Sequence, residues 1–301
     1  MTRPNFPEVI DSSLIAAFRS CPQKAFREYF EHWKGKEPSV HLHAGASYAS
    51  GLEAARRAFY ERNESHEDAV ACGAKALLKH YGNFDCPADS AKSAERTLGA
   101  MEFYFSRYPM DTDRAKPLTL AGGRKAIELN GVEAVDFPHP VTGNPLQYSW
   151  RVDMAVELNG MKLGEDDKTT SQLGASWPRQ WDLRSQFTSY IWGCKRSGIE
   201  LDGFLVRGVS ILKTKYDTLE AITYRPQWMI DRWYEQLLRD LKKMVGCWEE
   251  GYFDYDLDHA CTEYGGCHFR NVCLSRDPDQ ILAAMFEQRV WNPVTRTETK
   301  L

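Results

Sequence analysis

Arg151-Val-Asp-Met-Ala-Val-Glu-Leu158, then Asn159-Gly160, then Met161-Lys-Leu-Gly-Glu-Asp-Asp-Lys168, is the stretch whose reading decides the fold. Two alternating runs flank Asn-Gly, a strong hairpin signal, because a two-residue type I′ turn needs φ > 0 at both central positions. The turn sets a register in which Leu158 faces Met161, Val156 faces Leu163, Asp153 faces Asp166 and Arg151 faces Lys168. Side chains alternate along a strand, so Val152, Met154, Val156, Leu158, Met161 and Leu163 share one face, assigned to the core. Asp153, Asp166 and Lys168 share the other.

Directly opposed residues have Cβ atoms roughly 4.5–5.5 Å apart, so two ionised carboxylates there repel unless a cation lies between them. Hard cations such as Mg²⁺ or Mn²⁺ take oxygen ligands, which Asp153, Asp166 and the backbone carbonyl of Asp167 can supply. Lys168 can place an ammonium beside an attacking hydroxide or the charge developing on phosphorus. This chemistry is phosphodiester hydrolysis. The competing reading is a solvated polar face in which Arg151 and Lys168 neutralise the acids.

Downstream, the spacing of Leu183, Phe187, Tyr190 and Ile191, with Pro178 in a first turn and Gly198 beyond the end, predicts a helix over Trp177 to Arg196. Gln186 and Tyr190 share one helical face. The order Asp153, Asp166-Asp-Lys168-Thr169, Gln186-x-x-x-Tyr190 resembles the RecB-like branch of the PD-(D/E)XK nuclease superfamily. The resemblance implies an α/β fold with a mixed central sheet flanked by helices, built on a restriction-endonuclease-like αβββαβ core. It also implies metal ligation by Asp153 and Asp166, catalysis by Lys168, and orientation of DNA and the site by Gln186 and Tyr190. RecB-like nucleases carry a histidine ligand on the first core helix. In Gly45-Ala-Ser-Tyr-Ala-Ser-Gly-Leu-Glu53 its place is taken by Ala49, with His41 and His43 out of register. Glu53 then stands either as a substitute metal ligand or as a solvated partner of Arg56 or Arg57.

Of eight cysteines, three lie in Cys261-Thr-Glu-Tyr-Gly-Gly-Cys267-His-Phe-Arg-Asn-Val-Cys273, and Cys21 precedes Pro22 near the start. Four soft thiolates suit a [4Fe–4S] cluster or Zn²⁺. The pattern is similar to the iron–sulfur subgroup of the same superfamily, which includes CRISPR-associated exonucleases and the AddB helicase-nuclease. That similarity implies one [4Fe–4S] cluster on Cys21, Cys261, Cys267 and Cys273, joining the N- and C-terminal segments. In that subgroup the first C-terminal spacing is Cys-x-x-Cys; here Tyr264 holds the expected place and Cys261 lies further back. His268 is an alternative ligand. Disulfides are a competing reading, but no secretory or transit segment opens Met1-Thr-Arg-Pro-Asn-Phe-Pro, which predicts a reducing, cytoplasmic setting, that of a bacterial host if the chain is phage-encoded. Cys72, Cys86, Cys194 and Cys247 have no partner spacing and read as small packing residues.

The 301 residues, 43% of them hydrophobic, suffice for one large nuclease domain: a helical segment over 1–40, a core over 41–250 and a cluster-binding segment with a tail over 251–301. Further helices are predicted at Pro22–Trp33, Ser47–Arg62, Glu67–Tyr81, Ser90–Tyr108 and from Pro226 to about Glu250, with Ser12 capping a short helix before Cys21. Strands are predicted at Lys125–Leu129 and Val132–Phe137 around Asn130-Gly131, then at Gly203–Leu212 and Leu219–Tyr224. The net charge of −4 excludes a globally basic nucleic-acid binder and requires a local patch. Trp177, Arg179, Trp181 and Arg184 interleave aromatics with cations in the manner of a single-strand guide, with Lys213 and Lys215 as a second patch. No segment suggests a membrane span. The expected activity is a Mg²⁺- or Mn²⁺-dependent DNA exonuclease acting in recombination, repair or replication on single strands or DNA ends, with a recombination or replication protein as a further partner. The alternatives are a non-catalytic DNA-end-binding adaptor and a zinc-stapled endonuclease.

Overall fold

Asn159 and Gly160 both take left-handed backbone, with φ of 51° and 79°, as a type I′ turn demands. The computed structural model describes residues 3–37, 39–257, 259–262 and 266–300. Along the chain run β1 (Val9–Asp11), α1 (Ser12–Ser20), α2 (Pro22–Ala25), a π-helical turn (Phe26–Phe30), β2 (Trp33–Gly35), α3 (Val40–Arg62), α4 (His66–Tyr81) and α5 (Ala94–Arg107). They are followed by β3 (Lys116–Pro117), β4 (Ile127–Pro138), β5 (Pro145–Leu158), β6 (Met161–Thr170), a 3₁₀ turn (Pro178–Trp181), α6 (Ser185–Arg196), β7 (Gly203–Ile211) and β8 (Tyr216–Tyr224). The chain closes with α7 (Gln227–Glu250), α8 (Arg270–Leu274), α9 (Pro278–Met285), β9 (Phe286–Asn292) and β10 (Thr297–Lys300). The fold is mixed α/β, and among the described residues no helix is long and apolar enough to cross a membrane.

The chain forms two compact units: Met1–Glu37 with Gly131–Trp150 and Gln227–Leu301, and Pro38–Asn130 with Arg151–Pro226. β4 and β5 are divided between them, 127–130 and 151–158 falling in the second unit.

In the second unit β5 and β6 pair antiparallel from Leu158 opposite Met161 to Met154 opposite Glu165, the register set by the turn. β6 then runs parallel to β7 from Leu163–Gly203 to Thr170–Ser210, with α6 as the crossover a parallel pair requires, and β7 pairs antiparallel with β8. Met154, Val156, Leu158 and Leu163 are buried in one apolar cluster with Ile127 and Leu205. On the opposite face of β6, Gly164 lies under the ring of Phe204, which a Cβ at Gly164 would meet at 2.6 Å. Phe187 of α6 stacks on Phe204 at 4.5 Å, so the missing side chain at Gly164 seats α6 on this face.

The predicted helix over Trp177 to Arg196 is broken, beginning as the 3₁₀ turn and becoming α-helical only at Ser185. Arg225, 3% exposed, donates to the carbonyls of Trp181 (2.7 Å) and Arg184 (3.4 Å) and to the Thr188 hydroxyl (2.9 Å), holding the chain in that break. Asn130-Gly131 does not turn either: β4 continues through it. The ring of Trp150 occupies the space a Gly131 Cβ would need, at 2.7 Å, so a close approach rather than a turn accounts for that glycine.

In the first unit α1 is capped by Asp11, whose carboxylate accepts from the N–H groups of Ser13 (3.0 Å) and Leu14 (2.8 Å); Ser12, the predicted cap, is already helical. The helix predicted over Pro22–Trp33 ends at Phe30, and Trp33–Gly35 pairs antiparallel with β9 instead. Phe26, Phe30 and Phe253 form an aromatic core, with centroids 4.6 Å (Phe26–Phe253) and 5.1 Å (Phe30–Phe253) apart. The early segment and the late one are therefore joined by strand pairing and aromatic packing.

Gly208 of β7 lies opposite Lys168, and a Cβ there would meet the Trp177 ring at 2.4 Å. Gly208→Ala is expected to destabilise the protein by about 1–3 kcal/mol through overpacking. Urea unfolding monitored by tryptophan fluorescence measures this, and an unchanged midpoint would show that Trp177 moves aside freely.

Candidate active site

Beyond Met154–Glu165 the two strands part, and the backbone N–H of Asp167 donates to Asp153 Oδ2 at 3.4 Å. Asp153 and Asp166 stand at this fork. Arg151 does not face Lys168 as the register predicts, because past the fork it pairs with Glu128 of β4. Lys168 Nζ donates to Asp166 Oδ1 at 3.0 Å and lies 2.5 Å from Oδ2. From α6, Gln186 Nε2 donates to the Tyr190 hydroxyl at 2.9 Å. Burial works against the Lys168 charge, but Asp166, Asp153 and Tyr190 outweigh it and hold the ammonium above the ordinary lysine value. Asp153, Asp166, Lys168, Gln186 and Tyr190 thus belong to one constellation. Asp166 is 4% exposed, and burial, reinforced by Asp153, lifts its carboxyl to about 6 in spite of Lys168.

Glu53 is held by Arg57 at 2.9 Å, the ion pair expected of the solvated reading. Among the described residues no three His, Cys, Asp or Glu side chains group closely enough to hold a metal ion. Two carboxylates, Asp153 and Asp166, stand at the fork, and Asp166 Oδ2 is buried with the Lys168 ammonium 2.5 Å away. This donor set fits a hard divalent ion that fills the rest of its shell with water and substrate oxygens.

The side chain of Asp167 turns away from the fork to pair with Arg56 at 2.8 Å. Arg56 also meets Glu165 Oε1 at 2.5 Å and donates to the Tyr104 hydroxyl at 2.8 Å, while Tyr104 donates to Glu165 at 3.1 Å. Arg207 of β7 binds Asp113 through two hydrogen bonds (2.5 and 2.8 Å) and Glu220 through a third (2.9 Å). Glu165 is fully buried, which lifts its carboxyl to about 7 against the pull of Arg207 and Arg56. Sequence reasoning missed this network, whose partners come from α3, α5, β6, β7, β8 and the 108–115 segment with no local spacing to mark them. It also missed Glu128, which has left-handed φ (54°) and whose carboxyl is raised to about 7, first by burial and then by Asp153.

Trp177 and Trp181, expected to stack on bases, are 5% and 7% exposed and pack edge to face at 5.4 Å as core side chains. They offer no free ring face; of that group only Arg179 and Arg184 are exposed, as are Lys213 and Lys215 in the β7–β8 turn.

All eight cysteines are free, against the disulfide reading. Cys21, Cys261, Cys267 and Cys273 line one cavity of about 100 Å³ together with Lys24, Arg27 and Arg270. The N–H of Asp256 points to Cys21 Sγ at 3.5 Å, and Cys261 Sγ donates to the Asp256 carbonyl at 3.4 Å. Burial raises the Cys273 thiol, and Cys267, Cys21 and Cys261 raise it further. The thiols therefore share one electrostatic neighbourhood, in a unit whose early and late segments are also joined by the β2–β9 pairing. Tyr264, the residue at the displaced spacing, lies outside the described residues.

No known protein family matches the sequence. No curated protein matches it. Among solved structures the chain is similar to one described as "Putative exonuclease" from Eubacterium rectale, with a TM-score of 0.43 and 14% identity over 83% of this chain and 85% of that one. It is also similar to the protein SSO0001, with a TM-score of 0.30 and 11% identity over 66% of this chain and 74% of that one. Both likenesses are distant.

Burial alone would raise the Asp113 carboxyl, but the hydrogen bonds and charge of Arg207 hold it below the ordinary carboxylate value. A carboxyl depressed by folding contributes stability that is fully present above its unfolded pKa, near ~3.9, and lost as pH falls through the folded value. Asp113→Asn is therefore expected to cost about 1–3 kcal/mol at neutral pH, with the gap to wild type closing below about pH 4. Urea titrations across pH test this; a gap that persists undiminished into acid would show that the Arg207 pairing is not its source.

Proposed function

We propose that the protein is a divalent-metal-dependent deoxyribonuclease that hydrolyses phosphodiester bonds with Asp153, Asp166 and Lys168, working as an exonuclease on DNA ends with Mg²⁺ or Mn²⁺. The observation that carries this reading is the Lys168 ammonium held 2.5 Å from Asp166 Oδ2 at a strand fork, with Asp153 and Tyr190 beside it. When bound by the two carboxylates, a hard cation supplies Lewis-acid polarisation of the phosphodiester and a more acidic water. Lys168 brings a fixed positive charge to the position where negative charge grows on the phosphoryl oxygens, and a preorganised charge acts most strongly in a partly dehydrated site. Tyr190, whose hydroxyl accepts from Gln186 Nε2, is within electrostatic reach of the same ammonium.

Lys168→Ala is expected to lower cleavage of end-labelled DNA by about 100-fold or more, with circular dichroism and melting temperature near those of wild type. Unchanged cleavage by the rigorously purified variant would return Asp153, Asp166 and Lys168 to the role of a polar face.

The same proposal assigns Cys21, Cys261, Cys267 and Cys273 to a structural [4Fe–4S] cluster, with Zn²⁺ as the alternative occupant. The four soft donors around one cavity, with Lys24, Arg27 and Arg270 in the same lining, support this. Metal affinity would then be folding free energy. Serine at Cys267 or Cys273 is expected to remove iron or zinc and leave the protein protease-sensitive, while serine at Cys72 leaves metal content intact. Metal analysis after anaerobic purification decides it: full metal content in Cys261→Ser would drop Cys261 from the ligands, and no change at Cys267 or Cys273 would end the assignment.

A further inference from the structure

Lys92, just before α5, is 4% exposed. Among the described residues its Nζ has one side-chain partner, the neutral hydroxyl of Thr169, at 3.3 Å. Other buried cations of this unit are better provided for: Arg56 and Arg207 face carboxylates, and Arg225 donates to carbonyls and hydroxyls. Burial pushes the Lys92 ammonium below the ordinary lysine value, with no opposing carboxylate to restore it. A buried cation with a single long bond to a hydroxyl has unused donors and an uncompensated charge, which a bound anion would relieve.

The position of that charge names the anion. Thr169 follows Lys168 in β6, and successive side chains of a strand point to opposite faces. Lys168 therefore approaches the end of β6 from the α6 face, and Lys92 reaches it through Thr169 from the other. On that second face α3 brings Gly45 against Thr169, where a Cβ would stand 3.5 Å from the hydroxyl. Thr169 itself is half-buried. Past Glu165 the edge of β6 toward β5 is unpaired among the described residues, so a nucleic-acid strand that crosses this edge with its scissile phosphate at Lys168 would bring a neighbouring phosphate to Thr169 on the other face.

We infer that Lys92 and Thr169 form a second phosphate subsite, which holds the backbone phosphate adjacent to the one at Lys168. The inference rests on the nuclease reading and adds to it a residue pair that sets substrate register without touching the metal. Lys92 is on this account a binding residue for a polyanionic strand, and its burial keeps the charge unscreened until a phosphate arrives.

The test is binding of fluorescein-labelled single-stranded DNA by the full chain, followed by anisotropy in EDTA over a salt series, for wild type, Lys92→Met and Thr169→Val. Lys92→Met keeps the aliphatic stem and is expected to bind several-fold more weakly at low salt. Its plot of log K against log salt should be shallower by about 0.7, the slope of one lost phosphate contact on a single strand. Its melting temperature should be unchanged or higher, since an uncompensated buried charge is gone, which a merely structural lysine would not allow. Thr169→Val, at a half-buried site, should weaken binding in the same direction and keeps the test open if Lys92→Met folds poorly. Affinity and salt slope equal to wild type in both variants would overturn the subsite while leaving the nuclease reading intact. A wild type that binds no DNA would remove that reading and the subsite with it.

Discussion

The buried carboxylate of Glu165 is the constraint on which the second unit depends. It lies in the middle of β6, fully excluded from water, and its charge is tolerable only because Arg56, Arg207 and the Tyr104 hydroxyl converge on it. Such pairs add little net stability over an apolar core, yet removing one partner is costly because the other stays behind as an unpaired charge. The network therefore acts mainly on geometry. It ties α3, α5, β6 and β7 to one another at a single register, and β6 cannot slip by a residue without exchanging Glu165 for Asp166.

That register governs the opposite face. With Glu165 and Asp167 drawn toward Arg56, strand alternation turns Asp166 and Lys168 toward α6. α6 approaches closely because Gly164 leaves room for Phe204 and Phe204 offers a flat face to Phe187. The close approach brings Tyr190 within electrostatic reach of Lys168. The parting of β5 and β6 after Met154–Glu165 adds the last requirement, since a continued ladder would leave no space between Asp153 and Asp166 for anything but their own repulsion. Fork, helix approach and buried network all act on the same few residues of β6.

The first unit solves a different problem, joining distant parts of the chain. The β2–β9 pairing and the aromatic packing of Phe26 and Phe30 against Phe253 hold its early and late segments together. The four cysteines line a cavity in this joined region, with Lys24 and Arg27 beside them. A group bound there would reinforce a junction that the backbone already makes.

The sequence by itself determined what is local. Asn159-Gly160 dictated the hairpin and its register, because backbone sterics at two positive-φ residues leave few alternatives, and alternation then named the core face correctly through Leu163. The juxtaposition of Asp153, Asp166 and Lys168 followed from that register, and Gln186 with Tyr190 from helical spacing. Only the tertiary structure decided the rest. Asn130-Gly131 looked like a turn but lies in a strand where Trp150 needs the space; Trp177 and Trp181 looked like stacking platforms but fill the core over Gly208; the helix toward Arg196 starts late because Arg225 takes carbonyls of its first turn. Arg56, Tyr104, Asp113, Glu165 and Arg207, spread from residue 56 to residue 207 of the sequence, carry no spacing that marks them as partners. Local steric rules act between neighbours in the chain, whereas burial and charge pairing act between neighbours in space, and those neighbours exist only once the chain has folded.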